Sequence, residues 1–113
     1  MRCKNIKISE KALRDVINYY VKNDYISFQV LHLIDGKINK RDGEVFALYE
    51  DEGDAVTYYV TSFYEKNSIP KEILVGDNFD TNLLSEVLNT KVVIPQKGIK
   101  KKFLVFMTQK IIL

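Results

Sequence analysis

One histidine, one cysteine, one run of carboxylates and a lysine-rich end carry whatever chemistry this 113-residue sequence offers. His32 is the only candidate general base of its type. It alternates with Val30 and Ile34, so the spacing predicts a packed or hydrogen-bonded structural histidine on a strand. Cys3 can form neither an internal disulfide nor a thiolate cluster and is expected to lie in a frayed end. Ser27, Ser62 and Ser85 have no second histidine and no nucleophile-elbow context. Gly76 and Gly98 each stand alone, so there is no glycine-rich phosphate loop. The acidic run Glu50, Asp51, Glu52 and Asp54 lacks the alternating spacing and closing glutamate of a calcium loop. Placed before a helix, those acids meet the positive end of its dipole instead. No catalytic residue, metal site, cofactor or small-molecule substrate is therefore expected of this chain.

The lysines are unevenly placed. Residues 1–90 hold eleven basic and fifteen acidic side chains, a balance of −4, whereas residues 91–113 hold six lysines and no acid. The basic end, with Lys97, Lys100, Lys101 and Lys102, is the expected surface for a polyanion. Seven tyrosines and six phenylalanines suggest base stacking. Core packing accounts for most of them, with Tyr19, Tyr25, Tyr49 and Tyr58 the least tied to it, and no basic residues are interleaved.

The elements that must position these residues are those of one soluble domain. Hydrophobic (46%) and charged (28%) shares are ordinary, and five glycines and two prolines give no low-complexity segment. No stretch approaches the ~20 apolar residues that span a bilayer, and the Met1 end has no signal-like apolar run, so a cytoplasmic protein without a membrane partner is expected. Residues 9–22 read as a helix, capped by Ser9, with Ala12, Leu13, Val16, Ile17 and Tyr20 at helical spacing. Residues 25–34 alternate as a strand whose two faces are both expected to be at least partly covered. Asp35-Gly36 should close a hairpin onto a short polar strand over 37–41 that suits an edge, and a third strand follows at 45–49 after Asp42-Gly43. A helix to about Lys66 buries Val56, Tyr59, Val60, Phe63 and Tyr64. Then come a strand over 72–75, a helix from Asp80 or Thr81 burying Leu83, Leu84, Val87 and Leu88, a strand over 91–94, and a helix over 99–110.

The expected fold is thus an α/β (α+β) domain covering residues 1–113, with a mixed five-stranded sheet and the order α-β-β-β-α-β-α-β-α. After the first helix this is the order of a ribonuclease-H-like sheet. An active sheet of that kind needs clustered carboxylates for two metal ions, one from the middle of the first strand and one at the end of the fourth. Taken as residues 26–34, the first strand holds no acid, and Asp77 beyond the fourth is explained as a turn or cap residue. The expected sheet is therefore a degenerate one.

Ile69-Pro70-Lys71-Glu72-Ile73-Leu74-Val75 is followed further along the chain by Val92-Val93-Ile94-Pro95-Gln96-Lys97-Gly98-Ile99-Lys100-Lys101. Together they resemble the "P-[RK]-E-I-L" strand and "V-P-Q-[RK]-G-x-K-[KR]" turn of the UvrC family, the nuclease subunits of the UvrABC excinuclease. Arg14-Asp15-Val16-Ile17, Phe28-Gln29-Val30-Leu31, the Asp35-Gly36-Lys37 hairpin and the helix ending Phe63-Tyr64 resemble further segments of that family, in the same order. The resemblance covers roughly residues 13–104 and departs after Leu104, where Val105–Leu113 is apolar.

The resemblance implies a central, non-catalytic scaffold segment of a longer protein in nucleotide excision DNA repair. It would lie between a UvrB-binding hairpin and a carboxyl-terminal endonuclease domain. It implies a UvrB-like subunit and DNA as partners of the whole protein, with DNA backbone contacts expected through Lys97, Lys100, Lys101 and Lys102. The alternative is a protein–protein docking module that does not touch DNA. No family catalytic residue has a matching position here.

Overall fold

The computed structural model describes residues 13–95 of the chain. Five strands and two helices run β1 (Leu13–Lys22), β2 (Tyr25–Ile34), β3 (Lys37–Ala47), α1 (Glu52–Lys66), β4 (Glu72–Val75), α2 (Thr81–Leu88) and β5 (Lys91–Val93). They form one mixed sheet in the order β3-β2-β1-β4-β5. β1, β2 and β3 are an antiparallel meander, while β4 pairs parallel to both β1 and β5. The α/β class, the strand count and the mixed sheet are as the sequence led us to expect.

The helix expected over 9–22 is corrected: its described part is the central strand of the sheet, and residues 9–12 lie outside the described residues. A continuous apolar run matches the helical template as well as a strand buried on both faces. Here Val16, Ile17 and Val21 are β-branched and Tyr19 and Tyr20 aromatic, the types that suit a packed pleated strand. The missed local signal is Asn23-Asp24, a two-residue turn joining β1 to β2 in which Asn23 takes φ 57°. That left-handed backbone suits asparagine and glycine but disfavours other side chains by about 1–2 kcal/mol. We expect Asn23→Val to lower unfolding free energy by about that amount and Asn23→Gly to change it little. Equal losses in urea titrations of the two variants would show that the turn is not what holds the register.

The two short strands expected over 37–41 and 45–49 are in fact one eleven-residue strand, β3, which runs through Asp42-Gly43. Its place at the sheet edge agrees with its polar composition. Gly43 sits at a close approach rather than in a turn, since a Cβ there would lie a tight 3.1 Å from the Phe28 carbonyl oxygen.

α1 starts where its acids suggested, with the Asp51 side chain accepting from the Asp54 amide. α2 is capped by Asp80, which accepts from the Leu83 amide at 3.1 Å. Of the stripe expected in α2, Leu84 and Leu88 are buried, but Leu83 and Val87 are exposed, because two turns of helix present only one narrow face to the sheet. α1 and α2 cover one sheet face. The core there joins Ile17, Tyr19, Phe28 and Val30 to Tyr59, Val60, Leu84 and the β4 residues Ile73 and Val75. On the other face Val16, Leu31, Leu33 and Leu74 are buried with Val93 packed against them, so both sides of β2 are covered as its composition implied. The helix expected over 99–110 lies outside the described residues.

Candidate functional site

Two polar clusters are built on β1, one around Asn18 and Tyr19 past its middle and one around Asp15 near its start. The first is at the middle of β1 beside the carboxyl end of β4, where a ribonuclease-H-like sheet would gather metal-binding acids. The register Ile17 beside Val75 brings Asn18 next to Gly76 and carries Tyr19 toward Asp77. Gly76 is needed at that contact, because a Cβ would stand 2.8 Å from the Asn18 Oδ1. Asn18 is buried, and its Oδ1 accepts from the Tyr19 amide at 2.9 Å. Tyr19 packs its ring on Phe28 and Phe79, and its hydroxyl donates to Glu52 Oε2 at 2.6 Å. Burial, then the hydrogen bond to Glu52 and its charge, hold this phenol well above its ordinary titration range, so it stays a neutral donor.

Asp77 is exposed beyond β4, in the turn position expected of it. The donor set here is an amide, a neutral phenol, one carboxylate already bonded and one exposed carboxylate. It does not match the clustered carboxylates that two metal ions require. Among the described residues, no group of three or more His, Cys, Asp or Glu side chains is placed to hold a metal ion.

The second cluster is near the start of β1, and the sequence reading missed it. With β1 correctly placed, the first strand does contain an acid, Asp15, which is buried opposite His32 of β2. His32 Nδ1 lies 2.8 Å from Asp15 Oδ1, and Nε2 lies 2.8 Å from Asp42 Oδ2 on β3. The other Asp15 oxygen accepts a hydrogen bond from the Tyr64 hydroxyl of α1. Both imidazole nitrogens are therefore engaged by carboxyl groups, and the ring is held between two aspartates from neighbouring strands. Neither ring nitrogen is left open toward solvent or a ligand. Burial, then the Asp15 charge, drives the Tyr64 phenol far above its ordinary range.

His32 also stacks on Phe63, with ring centroids 5.8 Å apart. It is the hydrogen-bonded structural histidine that its alternation with Val30 suggested. A cavity of about 360 Å³ opens beside the cluster, lined by Asp15, His32, Lys40, Asn67 and Pro70 among others. Only the three-strand register could reveal this cluster. Its members are separated by 17 residues (Asp15 to His32), 10 residues (His32 to Asp42) and 49 residues (Asp15 to Tyr64).

Lys97, Lys100, Lys101 and Lys102 lie outside the described residues, as do Cys3 and the apolar stretch 105–113. Residues 13–95 carry eight basic and fourteen acidic side chains, a balance of −6, so the described part of the domain is acidic. Lys91 stands 3.5 Å from Glu72, whose other oxygen takes the Arg14 side chain at 2.6 Å.

Among the described residues no cluster of carboxylates gathers beside the end of β4, and the comparisons with known proteins bear on the family of this sheet. The model of the family described as UvrC Ribonuclease H-like domain matches residues 13–110. The chain belongs to that family. The UvrC relatives agree: UvrABC system protein C of Lactobacillus acidophilus is 42% identical over 100 residues, covering 85% of this chain and 17% of its own length. Its counterpart in Lactobacillus helveticus is 39% identical over the same coverage. That of Streptococcus mutans is 38% identical over 91 residues, covering 79% of this chain and 15% of its own length. The chain thus spans about one sixth of the UvrC relatives it matches.

Among solved structures, Ciona intestinalis endonuclease V in complex with a 24mer DNA containing an inosine followed by a ribo-adenosine superposes with a TM-score of 0.51. The match covers 96% of this chain and 64% of that one at 13% identity, a likeness of fold alone. The ribonuclease-H-like sheet inferred from element order is therefore the fold of this UvrC domain.

Proposed function

We propose that this chain is a non-catalytic domain of a UvrC-like excinuclease subunit in nucleotide excision repair, serving to space and orient the parts of the protein that flank it. The observation that carries this reading is the pair Asn18 and Tyr19 in the middle of β1, beside the end of β4. There an amide and a neutral phenol stand where a nuclease sheet would need carboxylates. The parent subunit would supply incision from elsewhere, with a UvrB-like subunit and DNA as partners of the whole protein. Lys97, Lys100, Lys101 and Lys102 would meet the DNA backbone, positioning it without reading its sequence.

Titration of fluorescent duplex and single-stranded DNA at two salt concentrations tests the DNA contact. If each of the four lysines neutralises one phosphate, the affinity should fall roughly a hundredfold between about 50 and 200 mM salt. Lys100→Glu with Lys101→Glu should weaken it further. Salt-independent binding, or none with all four lysines intact, would remove DNA from the proposal and leave the spacer. Magnesium-dependent cleavage by the purified chain, lost in Asp77→Asn, would overturn the non-catalytic reading.

A second reading, docking on a UvrB-like subunit or a neighbouring nuclease domain, is favoured by a different observation. The described residues carry an excess of acid, a bare edge at β3 and exposed aromatic side chains at one end of the sheet. The apolar residues Ile111–Leu113, first candidates for such docking, lie outside the described residues. Reversing the lysine charges separates the readings, because a docking module would keep its partner.

A further inference from the structure

At the end of the sheet where β2 begins, β3 ends and α1 starts, a cavity of about 260 Å³ opens between Phe28, Phe46, Glu50, Ala55, Tyr58 and Tyr59. Aromatic rings build it. Phe28 and Tyr59 stack with centroids 4.0 Å apart, and Phe46 meets them edge-on at 6.2 and 5.8 Å. Tyr58 is 68% exposed and Tyr49, just past the end of β3, is 92% exposed. Single exposed apolar side chains are ordinary, but several gathered about an aromatic cavity mark an interaction surface.

Among the described residues, the charged side chain lining the cavity is the acidic Glu50. Between Arg41 and Lys66 the chain holds seven carboxylates and no basic residue. Glu50 lines the cavity, the exposed Asp51 and Asp54 follow it, and Glu44 shares a face of β3 with Phe46. Burial, then the charges of Glu44 and Asp42, push the Tyr59 phenol up to about 12. Nucleic acid would be repelled from such a surface.

We infer that this cavity docks an arginine-bearing basic segment of a protein partner. The arginine's aliphatic stem would cover Phe28 and Tyr59. Its planar guanidinium would lie against the Phe46 or Tyr58 ring and pair with Glu50. A purely apolar anchor would fit the rings but would strip water from Glu50 without replacing it. A lysine would supply charge without the flat, stacking fork. The inference rests on the docking reading above and names its surface and the chemistry of its partner.

The test uses the full chain labelled with ¹⁵N and two short amidated peptides of glycine, serine and leucine, one with two arginines and one with glutamines in their place. The arginine peptide should shift the amide signals of Phe46, Ala47, Glu50, Ala55 and Tyr58 saturably, and the glutamine peptide should not. Glu50→Gln and Tyr58→Ala should each weaken the arginine peptide at least fivefold. The site is wrong if the two peptides behave alike, if the shifts fall elsewhere, or if both variants bind as before. Duplex DNA shifting the same signals would also overturn it. So would a response of those signals to Lys100→Glu with Lys101→Glu in the free chain, which would make the occupant the chain's own basic end. A purified UvrB-like subunit separates the inference from the reading beneath it. Subunit binding that survives both cavity variants keeps docking and sinks this surface, whereas arginine-peptide binding as expected without subunit binding keeps the surface and sinks that partner.

Discussion

Asp15→Ala should remove about 3–5 kcal/mol of unfolding free energy, a large part of the 5–15 kcal/mol typical of a whole domain. The carboxylate is buried and is shared: one oxygen faces His32 Nδ1 and the other accepts from the Tyr64 hydroxyl. Alanine leaves a ring nitrogen and a buried hydroxyl without partners while Asp42 still holds the far side of the imidazole. Unmade hydrogen bonds in a buried site are more damaging than the same groups removed together. Asp15→Ala with Tyr64→Phe should therefore be more stable than the sum of the single losses implies, because the orphaned hydroxyl is gone. Urea unfolding of the three variants measures both quantities. A loss below about 1 kcal/mol for Asp15→Ala would mean that water replaces the carboxylate and that the cluster does not hold β1, β2 and α1 together.

Phe28→Ala should be of similar size, about 3–5 kcal/mol, for a different physical reason. Phe28 is 2% exposed, stacks on Tyr59, and touches Tyr19 and Phe46 as well. Truncation opens a void among rings that belong to β1, β3 and α1, elements fixed by the sheet register and unable to collapse inward. The comparison is Tyr58→Ala in α1, the helix whose Tyr59 stacks on Phe28. Tyr58 is mostly exposed, and the change should stay within about 0.5 kcal/mol. Equal midpoints for the two variants in thermal or chemical unfolding would show that the helix is not fastened to the sheet through Phe28.

What the sequence by itself determined is what short-range chemistry dictates. Asp35-Gly36 closes the β2–β3 hairpin with both residues at positive φ. Asp51 and Asp80 cap the two helices. The stripe Val56, Tyr59, Val60 and Tyr64 faces the core, and Pro70 and Pro95 bracket β4, α2 and β5. Motif order along the chain was enough to reach the UvrC family, since it depends on sequence alone.

Tertiary structure decided the rest. The run Val16–Val21 is apolar on both faces, so neither a period of two nor one of 3.6 stands out. It becomes a strand only because β2 pairs with it on one side and β4, some 58 residues on, on the other. The same long-range pairing turned Asp42-Gly43 from an expected turn into the middle of β3. It also moved Asp15 from a helix to a buried site facing His32 and Asp42. A strand's neighbours are chosen by burial summed over the whole sheet. Which carboxylates meet which partners was therefore beyond the reach of local spacing.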